Sequence, residues 1–530
     1  MRPRLPTAAL AALILAAATP PVAAQVDGKA LYDRWCAGCH GVEGRGDGPG
    51  AATMLPRPRD FTLALYQVRT TATGEIPTDE DMLRVIDEGM PGTTMPAWRD
   101  AFTREQRLAL VAHLKTFSRF FQGEAPQPLD LGQAPRSSPE RLARGREAYE
   151  STECWRCHGQ SGRGDGASAS TLEDDLGWPI RAADLTANWT FNGGGTVADI
   201  YRTLRTGLDG TPMPSFSDMV DAGVITDDDL WSLAQYVRSL SPARAPSVRE
   251  VVRAVRLTDA TLPSSVDDEV WEAIEGFRIP LVGQVVLAPR WFAPRVESLW
   301  IQAAHDGTEL ALRISWTDPS RSPDPEWAGF AARVLEVMGP GDPGSATTVG
   351  APDRLTVQFP AALTTGLERP YFLQGDSRRP AYLWSWRSDG AGAVESDARG
   401  MGTAVARPDD RQHLLATAAH AEGQWRVVLR RSLDTGREGD LLLPVGQAVP
   451  MAFQAWDGDN GEDGLQGSVS TWFFLFLEEP ATMAVYVAPL MALVLTFLAG
   501  LLVIRQARRE ENRRGLATAY GEDVEMTTPT

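Results

Sequence analysis

Lysine is almost missing from these 530 residues. Only Lys29 and Lys115 occur, and arginine carries nearly all the positive charge. The formal net charge is −18 at pH 7. A chain this acidic lacks the basic surface that phosphate-backbone binding requires, so nucleic acid is excluded as a partner. Cysteine is just as scarce. All four cysteines lie within "CAGCHGVEGRGDG" (36–48) and "CWRCHGQSGRGDG" (154–166). Structural zinc would need four ligands in one local cluster, and these pairs lie 118 residues apart. A thioredoxin-like pair would need a βαβ setting, and none surrounds either site. No nucleophile with its base, acid–base pair or open metal position stands out, so the chain itself is expected to turn nothing over. What remains is an apolar content of 43%, enough for sizeable cores, and a length that suggests three or four domains.

Long apolar runs are confined to the two ends. Arg2 and Arg4 precede an Ala/Leu-rich run from Ala8 to Ala18, and "VAAQ" offers small residues for cleavage after Ala24. Residues 1–24 read as a secretory signal peptide, too short to serve as a membrane anchor. Near the other end, 22 residues from Met483 to Ile504 carry no charge. As a helix they rise about 33 Å, enough for a hydrocarbon core of about 30 Å. Glu478 and Glu479 precede this run, and Arg505, Arg508, Arg509, Arg513 and Arg514 follow it. The positive-inside rule then leaves 505–530 as a cytoplasmic tail and the bulk of the chain periplasmic or otherwise extracytoplasmic. The polar tail is expected to be disordered.

The first half is a tandem duplication. At an offset of 118, Cys36, Cys39 and His40 meet Cys154, Cys157 and His158, and "GRGDG" meets "GRGDG". At the same offset "DMLRVIDEGMPGTTMPAW" (81–98) meets "DIYRTLRTGLDGTPMPSF" (199–216). Both copies read as helical. Leu31, Tyr32 and Trp35 have helical spacing before the first cysteines. Thr78 caps a segment with Met82, Val85 and Ile86 on one face, which stops at Gly89. Leu108, Val111, Ala112 and Leu114 are expected to face the core from a further helix. The proline-rich stretch 123–139 links the copies.

C-x-x-C-H is the attachment signature of c-type haem. Two thiols one helical turn apart reach the two vinyl groups of one porphyrin, and the adjacent imidazole points at the iron. Cys36, Cys39, Cys154 and Cys157 are therefore expected to tether two haems, with His40 and His158 as proximal ligands. The other iron face needs a donor. Met95 and Met213 each lie 55 residues after their histidine, and each precedes a proline. Met90 is a competitor in the first copy, but its partner in the second is Leu208, which cannot bind iron. Met95 and Met213 are the expected sixth ligands. A thioether raises the reduction potential, so both haems are expected to be relatively oxidising carriers.

These residues resemble the class I cytochrome c domain, over about 25–122 and 140–241. The resemblance implies the small helical cytochrome c fold with a partly exposed haem edge. Asp47 and Asp165 are expected to stabilise glycine turns rather than to do chemistry.

From 248 to 478 the pattern changes to short alternating runs. "ESLWIQAAHDGTELALRISWTD" (297–318) reads as two strands around an Asp-Gly turn, and "RLTVQFP" (354–360), "AYLWSWRSDG" (381–390), "GQWRVVLRRSL" (423–433) and "VPMAFQAWDG" (449–458) continue it. An all-β antiparallel sandwich is expected, its tryptophans in the core or on the sheet faces. The fold class is thus multidomain: two small all-α cytochrome c domains, a sandwich and one transmembrane helix. "PYFLQGD", "YLWSWRSDG" and "FQAWDG…VSTWFFL" resemble the haem-binding gamma subunit of ethylbenzene dehydrogenase, a partner subunit in the dimethyl sulfoxide reductase family of molybdenum enzymes. The resemblance implies a haem b held between a methionine and a lysine. Gln374 stands where that methionine belongs and Gly467 stands near the lysine's place, so the usual pair is missing and docking is the expected role. His305 is expected on the surface. His413 and His420, seven apart, would face opposite sides of one strand. The acidic turn 457–463 lacks full calcium-loop spacing and is expected to be a solvated hairpin turn.

The leading expectation is a membrane-anchored periplasmic dihaem cytochrome. It would serve as an electron-transfer subunit for the iron–sulfur and molybdenum subunits of a nitrate reductase or nitrite oxidoreductase type of complex, or for other redox proteins. The alternatives are a free-standing anchored cytochrome that feeds an oxidase, a dihaem peroxidase, and a cytochrome fused to a carbohydrate-binding module. An exposed row of Trp384, Trp386 and Trp425 would favour the last.

Overall fold

The computed structural model describes residues 26–258, 261–338, 350–363, 369–480 and 484–522. The expected signal peptide lies outside them. The first copy of the repeat contains helices α1 (Gly28–Trp35), α2 (Ala37–His40), α3 (Asp79–Glu88) and α4 (Arg104–Lys115). The second contains α5 (Pro139–Ser151), α6 (Trp155–His158), α7 (Val197–Thr206), α8 (Ser217–Asp221) and α9 (Asp227–Ser239). Local sequence sets the helix starts. Thr78 with Asp81, Thr103 with Gln106, Thr196 with Asp199 and Thr226 with Asp229 form reciprocal capping boxes that satisfy orphan N–H groups at α3, α4, α7 and α9.

In each copy the first and last helices cross at a glycine. A Cβ on Gly28 would lie 2.1 Å from the Ala109 carbonyl oxygen of α4, and one on Gly145 would lie 2.0 Å from that of Ser232 on α9. The helices therefore touch backbone to backbone. Beneath each crossing a buried tyrosine holds the haem-motif turn: Tyr32 donates to the Gly41 carbonyl at 2.7 Å and Tyr149 to that of Gly159 at 2.6 Å. On α4 the buried face is Arg107, Leu110, Val111 and Leu114. Leu108 and Ala112, expected on that face, are both exposed, because α1 meets α4 along the line through Ala109 and Leu110.

The second half has strands β1 (Val251–Arg256), β2 (Phe277–Pro280), β3 (Val282–Gly283), β4 (Ser298–His305), β5 (Glu309–Thr317), β6 (Arg354–Pro360) and β7 (Ala381–Arg387). They continue with β8 (Gly392–Ala398), β9 (Val405–Ala406), β10 (Leu415–Ala421), β11 (Gln424–Ser432), β12 (Ala448–Trp456), β13 (Ser468–Val469) and β14 (Phe473–Leu477). The main order is β10-β11-β5-β4-β1-β14-β12-β6-β7-β8-β9. Pairing is antiparallel except along β1, which runs parallel to both β4 and β14. The two halves of this sheet share one core. Trp386 of β7 meets Trp316 of β5 at 6.1 Å and Trp425 of β11 at 4.9 Å between ring centroids. Trp384, Trp386 and Trp425 are all buried, so they form no exposed row for stacking on a sugar.

Helix α10 (Pro325–Met338) lies between the sandwich and the repeats: Arg333 donates to the Ser170 carbonyl at 2.6 Å and Arg57 to that of Val337 at 2.5 Å. The last helix, α11 (Ala484–Glu522), is long and apolar enough within Tyr486–Arg513 to cross a membrane, and the uncharged part of that segment ends at Ile504. It runs on to Glu522 instead of ending at Ile504. The tail to that point is helical, not disordered, because "RQARREENRRGLATA" is rich in strong helix formers.

Candidate haem-binding sites

None of the four cysteines is in a disulfide, and each is half-buried at the start or inside the short helices α2 and α6. His40 and His158 end those helices. His40 Nδ1 lies 3.1 Å from the Arg59 carbonyl oxygen and His158 Nδ1 lies 3.0 Å from that of Ala183. A Nδ1–H donated to a carbonyl fixes the ring and leaves the Nε2 lone pair for a metal. Burial also lowers both histidine pKa values, which favours the neutral, ligating form.

The glycine after each histidine has a positive φ, 77° at Gly41 and 80° at Gly159. Asp47 and Asp165 fold back onto these glycines. A Cβ there would lie 2.0 Å and 1.7 Å from the respective Oδ1 atoms, so only glycine fits. The repeated "GRGDG" is thus a turn device, as expected.

The two methionine loops are built alike. Met90 N–H donates to the Met95 carbonyl at 3.1 Å, and Leu208 N–H to that of Met213 at 3.1 Å. The Thr93 and Thr211 hydroxyls donate to the carbonyls of Met90 and Leu208, both at 2.7 Å, and accept from the N–H groups of Met95 and Met213. Met90 and Leu208 are therefore equivalent closing residues of the loop, and Met95 and Met213 are equivalent at its far end. Each copy offers two cysteine sulfurs outside any disulfide, an imidazole with a spare Nε2 and a thioether. That donor set fits a covalently tethered, His/Met-ligated haem.

The copies meet at the second methionine loop. The fully buried Arg69 donates to the Thr206 carbonyl and to Asp209 Oδ1, both at 2.7 Å, and Gly74 N–H donates to Asp209 Oδ2 at 3.0 Å. The sandwich meets the second copy beside His158: Thr317 donates to Asp184 Oδ2 at 2.8 Å, one residue from the carbonyl that holds His158. Sequence reading did not reveal either seam. Arg59 and Ala183 are equivalent by the bonds of their carbonyls to the two histidines, whereas the offset of 118 would pair Arg59 with Gly177.

The usual haem b pair is replaced by packing. Gln374 is buried with φ 64°, and its Nε2 donates to Gln454 Oε1 at 2.7 Å. A Cβ on Gly467 would lie 2.5 Å from the Trp456 ring, so a lysine there would displace the indole. These residues do not fit a haem b.

Two other expectations change. His305 is fully buried, with Nε2 3.0 Å from the Glu478 carbonyl oxygen, because β4 is an interior strand. His413 precedes β10, so it does not share a strand with His420. The acidic turn is also not solvated. Asp457, Asp459 and Glu462 are buried, and Asp318, Asp353 and Asp457 bring carboxylate oxygens within 4.8 Å of one another. Arg181 of the second copy reaches this nest and donates to Asn460 Oδ1 at 3.1 Å. Burial pushes the Asp457 carboxyl up to about 8, with Asp353, Glu462 and Asp459 adding to the rise and Arg295 opposing it. Such a group binds a proton in the folded state that the unfolded chain releases. Its stabilisation is full below the ordinary carboxylate range and is lost as pH climbs through about 8. The Asp457→Asn variant is therefore expected to gain stability relative to wild type over that interval. Denaturant unfolding of both proteins across it checks this, and a constant difference would refute it.

A cytochrome c family model matches residues 25–118 and 142–241, and an ethylbenzene dehydrogenase model matches 398–468. The chlorate reductase subunit gamma of Ideonella dechloratans is 32% identical over 237 residues, covering 43% of this chain and 86% of the relative. A respiratory nitrate reductase heme subunit of Haloferax mediterranei is 26% identical over 211 residues, covering 40% of this chain and 67% of the relative. Among solved structures, a chain of the reducing HAO-like protein complex of Kuenenia stuttgartiensis is 47% identical, with a TM-score of 0.39, covering 41% of this chain and 96% of that one.

Proposed function

The chain belongs to the family of the chlorate reductase gamma subunit and its haem-subunit relatives, and from that premise we propose that it is a membrane-anchored periplasmic electron-transfer subunit carrying two c-type haems. The domain limits and donor residues are those set out above: Cys36, Cys39, His40 and Met95 for one haem, Cys154, Cys157, His158 and Met213 for the other. The observation that carries this reading is the identical donor set and methionine-loop bonding in both copies, joined by a buried seam. Bound haem supplies a one-electron couple, and an exposed edge permits exchange without bond making.

The residues of the chain do the rest. Arg59 and Ala183 carbonyls orient the imidazoles, and the Thr93 and Thr211 hydroxyls hold the methionine loops closed. Arg69 fixes the copies so that an electron path between them keeps a constant length. The sandwich docks a partner, by family the iron–sulfur or molybdenum subunit of an oxidoreductase acting on an oxyanion such as nitrate. The apolar stretch of α11 crosses the membrane with its arginine-rich end in the cytoplasm. An anchored cytochrome feeding an oxidase would share the same haems and lack that partner. A peroxidase would need an iron face free of methionine, and the twin loops speak against that.

A pyridine haemochrome spectrum and haem stain of the protein purified from native membranes test the proposal. Two c-type haems per chain and a co-purifying molybdenum-containing subunit are expected. A chain without covalent haem would overturn the reading. Two haems without molybdenum would leave only the anchored cytochrome.

A further inference from the structure

The chain is acidic as a whole, but one short stretch reverses the sign. Residues 505–514 hold five arginines and two glutamates. The stretch directly follows the uncharged segment and belongs to the same unbroken helix, α11. Arg505, Arg508, Arg509 and Arg513 are all exposed. At about 100° per residue the four fall within one arc of about 140°, and Glu510 and Glu511 fall outside it. Elsewhere in the chain, exposed arginines find carboxylates: Arg144 pairs with Asp228 and Asp229, and Arg437 with Asp410. Among the described residues, none of the four arginines on this face of α11 is in an ion pair, although Glu511 follows Arg508 by one turn.

Their height along the helix matches a headgroup layer. With the hydrocarbon edge at Ile504, Arg505, Arg508 and Arg509 stand within about 8 Å of it, inside a polar layer of about 5–8 Å. Arg513 stands about 13 Å from the edge, within a Debye length of about 8 Å of that layer. Glu522 lies about 13 Å further along the axis, too far to screen the arginines. Orienting a spanning helix needs arginines near its end on any face. It does not require them to share one face, or to leave nearby glutamates unpaired.

A phosphodiester offers a negative charge and paired oxygens that match the planar guanidinium fork. We propose that Arg505, Arg508, Arg509 and Arg513 form a docking surface for the headgroups of anionic phospholipids in the leaflet from which α11 emerges. A zwitterionic phospholipid carries the same phosphate with a compensating cation, so it competes poorly for this face. A lipid held there fixes the depth and the rotation of the anchor, because the arginines occupy only one side of the helix. The inference rests on the membrane-anchored reading above.

The test uses the full chain with its haems, purified in a non-ionic detergent. Phosphatidylglycerol or phosphatidylcholine is titrated in, and native mass spectrometry counts the lipid bound to each chain. Wild type is expected to bind phosphatidylglycerol more tightly than phosphatidylcholine. Each arginine near a charged headgroup contributes about fivefold, so Arg508→Gln with Arg509→Gln is expected to weaken phosphatidylglycerol binding about 25-fold. A second variant, Ala507→Arg with Arg508→Gln, keeps the net charge and moves one arginine off the face. It is expected to weaken binding about fivefold. Equal affinity of wild type for the two lipids overturns the proposal, as does wild-type binding by the doubly neutralised variant. Wild-type binding by the charge-conserving variant also overturns it, because net charge and not the face would then recruit the lipid. A chain that stays in solution without detergent would instead defeat the membrane-anchored reading, so the two failures are distinct.

Discussion

Exchanging Met213 for histidine is expected to lower the potential of the second haem by roughly a few tenths of a volt, a fraction of the about 0.8 V over which axial ligands set haem potentials. The thioether favours ferrous iron, and a second imidazole favours ferric iron more strongly. The loop geometry makes the substitution local. Met213 is tied by its backbone N–H to the Thr211 hydroxyl and by its carbonyl to Leu208 N–H, and neither bond involves its side chain. Covalent attachment through Cys154 and Cys157 is expected to survive. Met90→Leu is the matched control. It reproduces in the first copy what Leu208 already is in the second, and its potentials are expected to stay at wild-type values. Redox titration with the weak red absorption band of methionine-ligated ferric haem as a second readout checks both. An unshifted second haem in Met213→His, or a lost band in Met90→Leu, would assign the ligands differently.

Replacing Arg431 by methionine is expected to destabilise the sandwich by about 3–5 kcal/mol, the usual cost of leaving one member of a buried ion pair uncompensated. Arg431 and Glu395 are both fully buried, with Nε 3.0 Å from Oε1. Arg431 also donates to the Leu441 carbonyl at 3.0 Å, and Tyr382 donates its hydroxyl to the same Glu395 oxygen. The pair joins β11 to β8 across the core, so its loss reaches both halves of the sheet. Arg430, one residue earlier, pairs with Glu309 at a partly exposed position. Removing that pair is expected to cost only about 0.2–1 kcal/mol, because solvent screens it. Denaturant unfolding of the two variants gives the comparison. Equal costs would mean that the buried pair is relaxed by water or by its neighbours.

These two arginines show where sequence reading stops. "RVVLRRSL" identifies β11 by its alternation, and the period of two puts Arg430 and Arg431 on opposite faces. It does not say that the inward one meets a glutamate on a strand 36 residues earlier. The same holds for the acidic turn. Its composition suggested solvent, but α10, the sandwich core and the second copy close over it, so Asp457, Asp459 and Glu462 are buried and hold their protons to higher pH. His305 and Leu108 were misplaced for a related reason. Each was judged from its own segment, and the neighbour that covers or avoids it comes from elsewhere in the chain.

What the sequence determined alone was everything carried by short-range chemistry. The threonine caps, the C-x-x-C-H turns, the glycines that admit an aspartate against the backbone and the strand alternation depend on residues a few positions apart. The duplication extended that reach, because two copies of one fold expose which residues the fold and its ligand require. Only the tertiary structure decided how the pieces face one another: Arg69 seated on the Thr206–Asp209 turn, Trp456 over Gly467, and Arg181 in the acidic nest. Those contacts join residues more than a hundred positions apart or depend on packing that no local period encodes. Their energies come from desolvation and close fit, which exist only once the chain has folded.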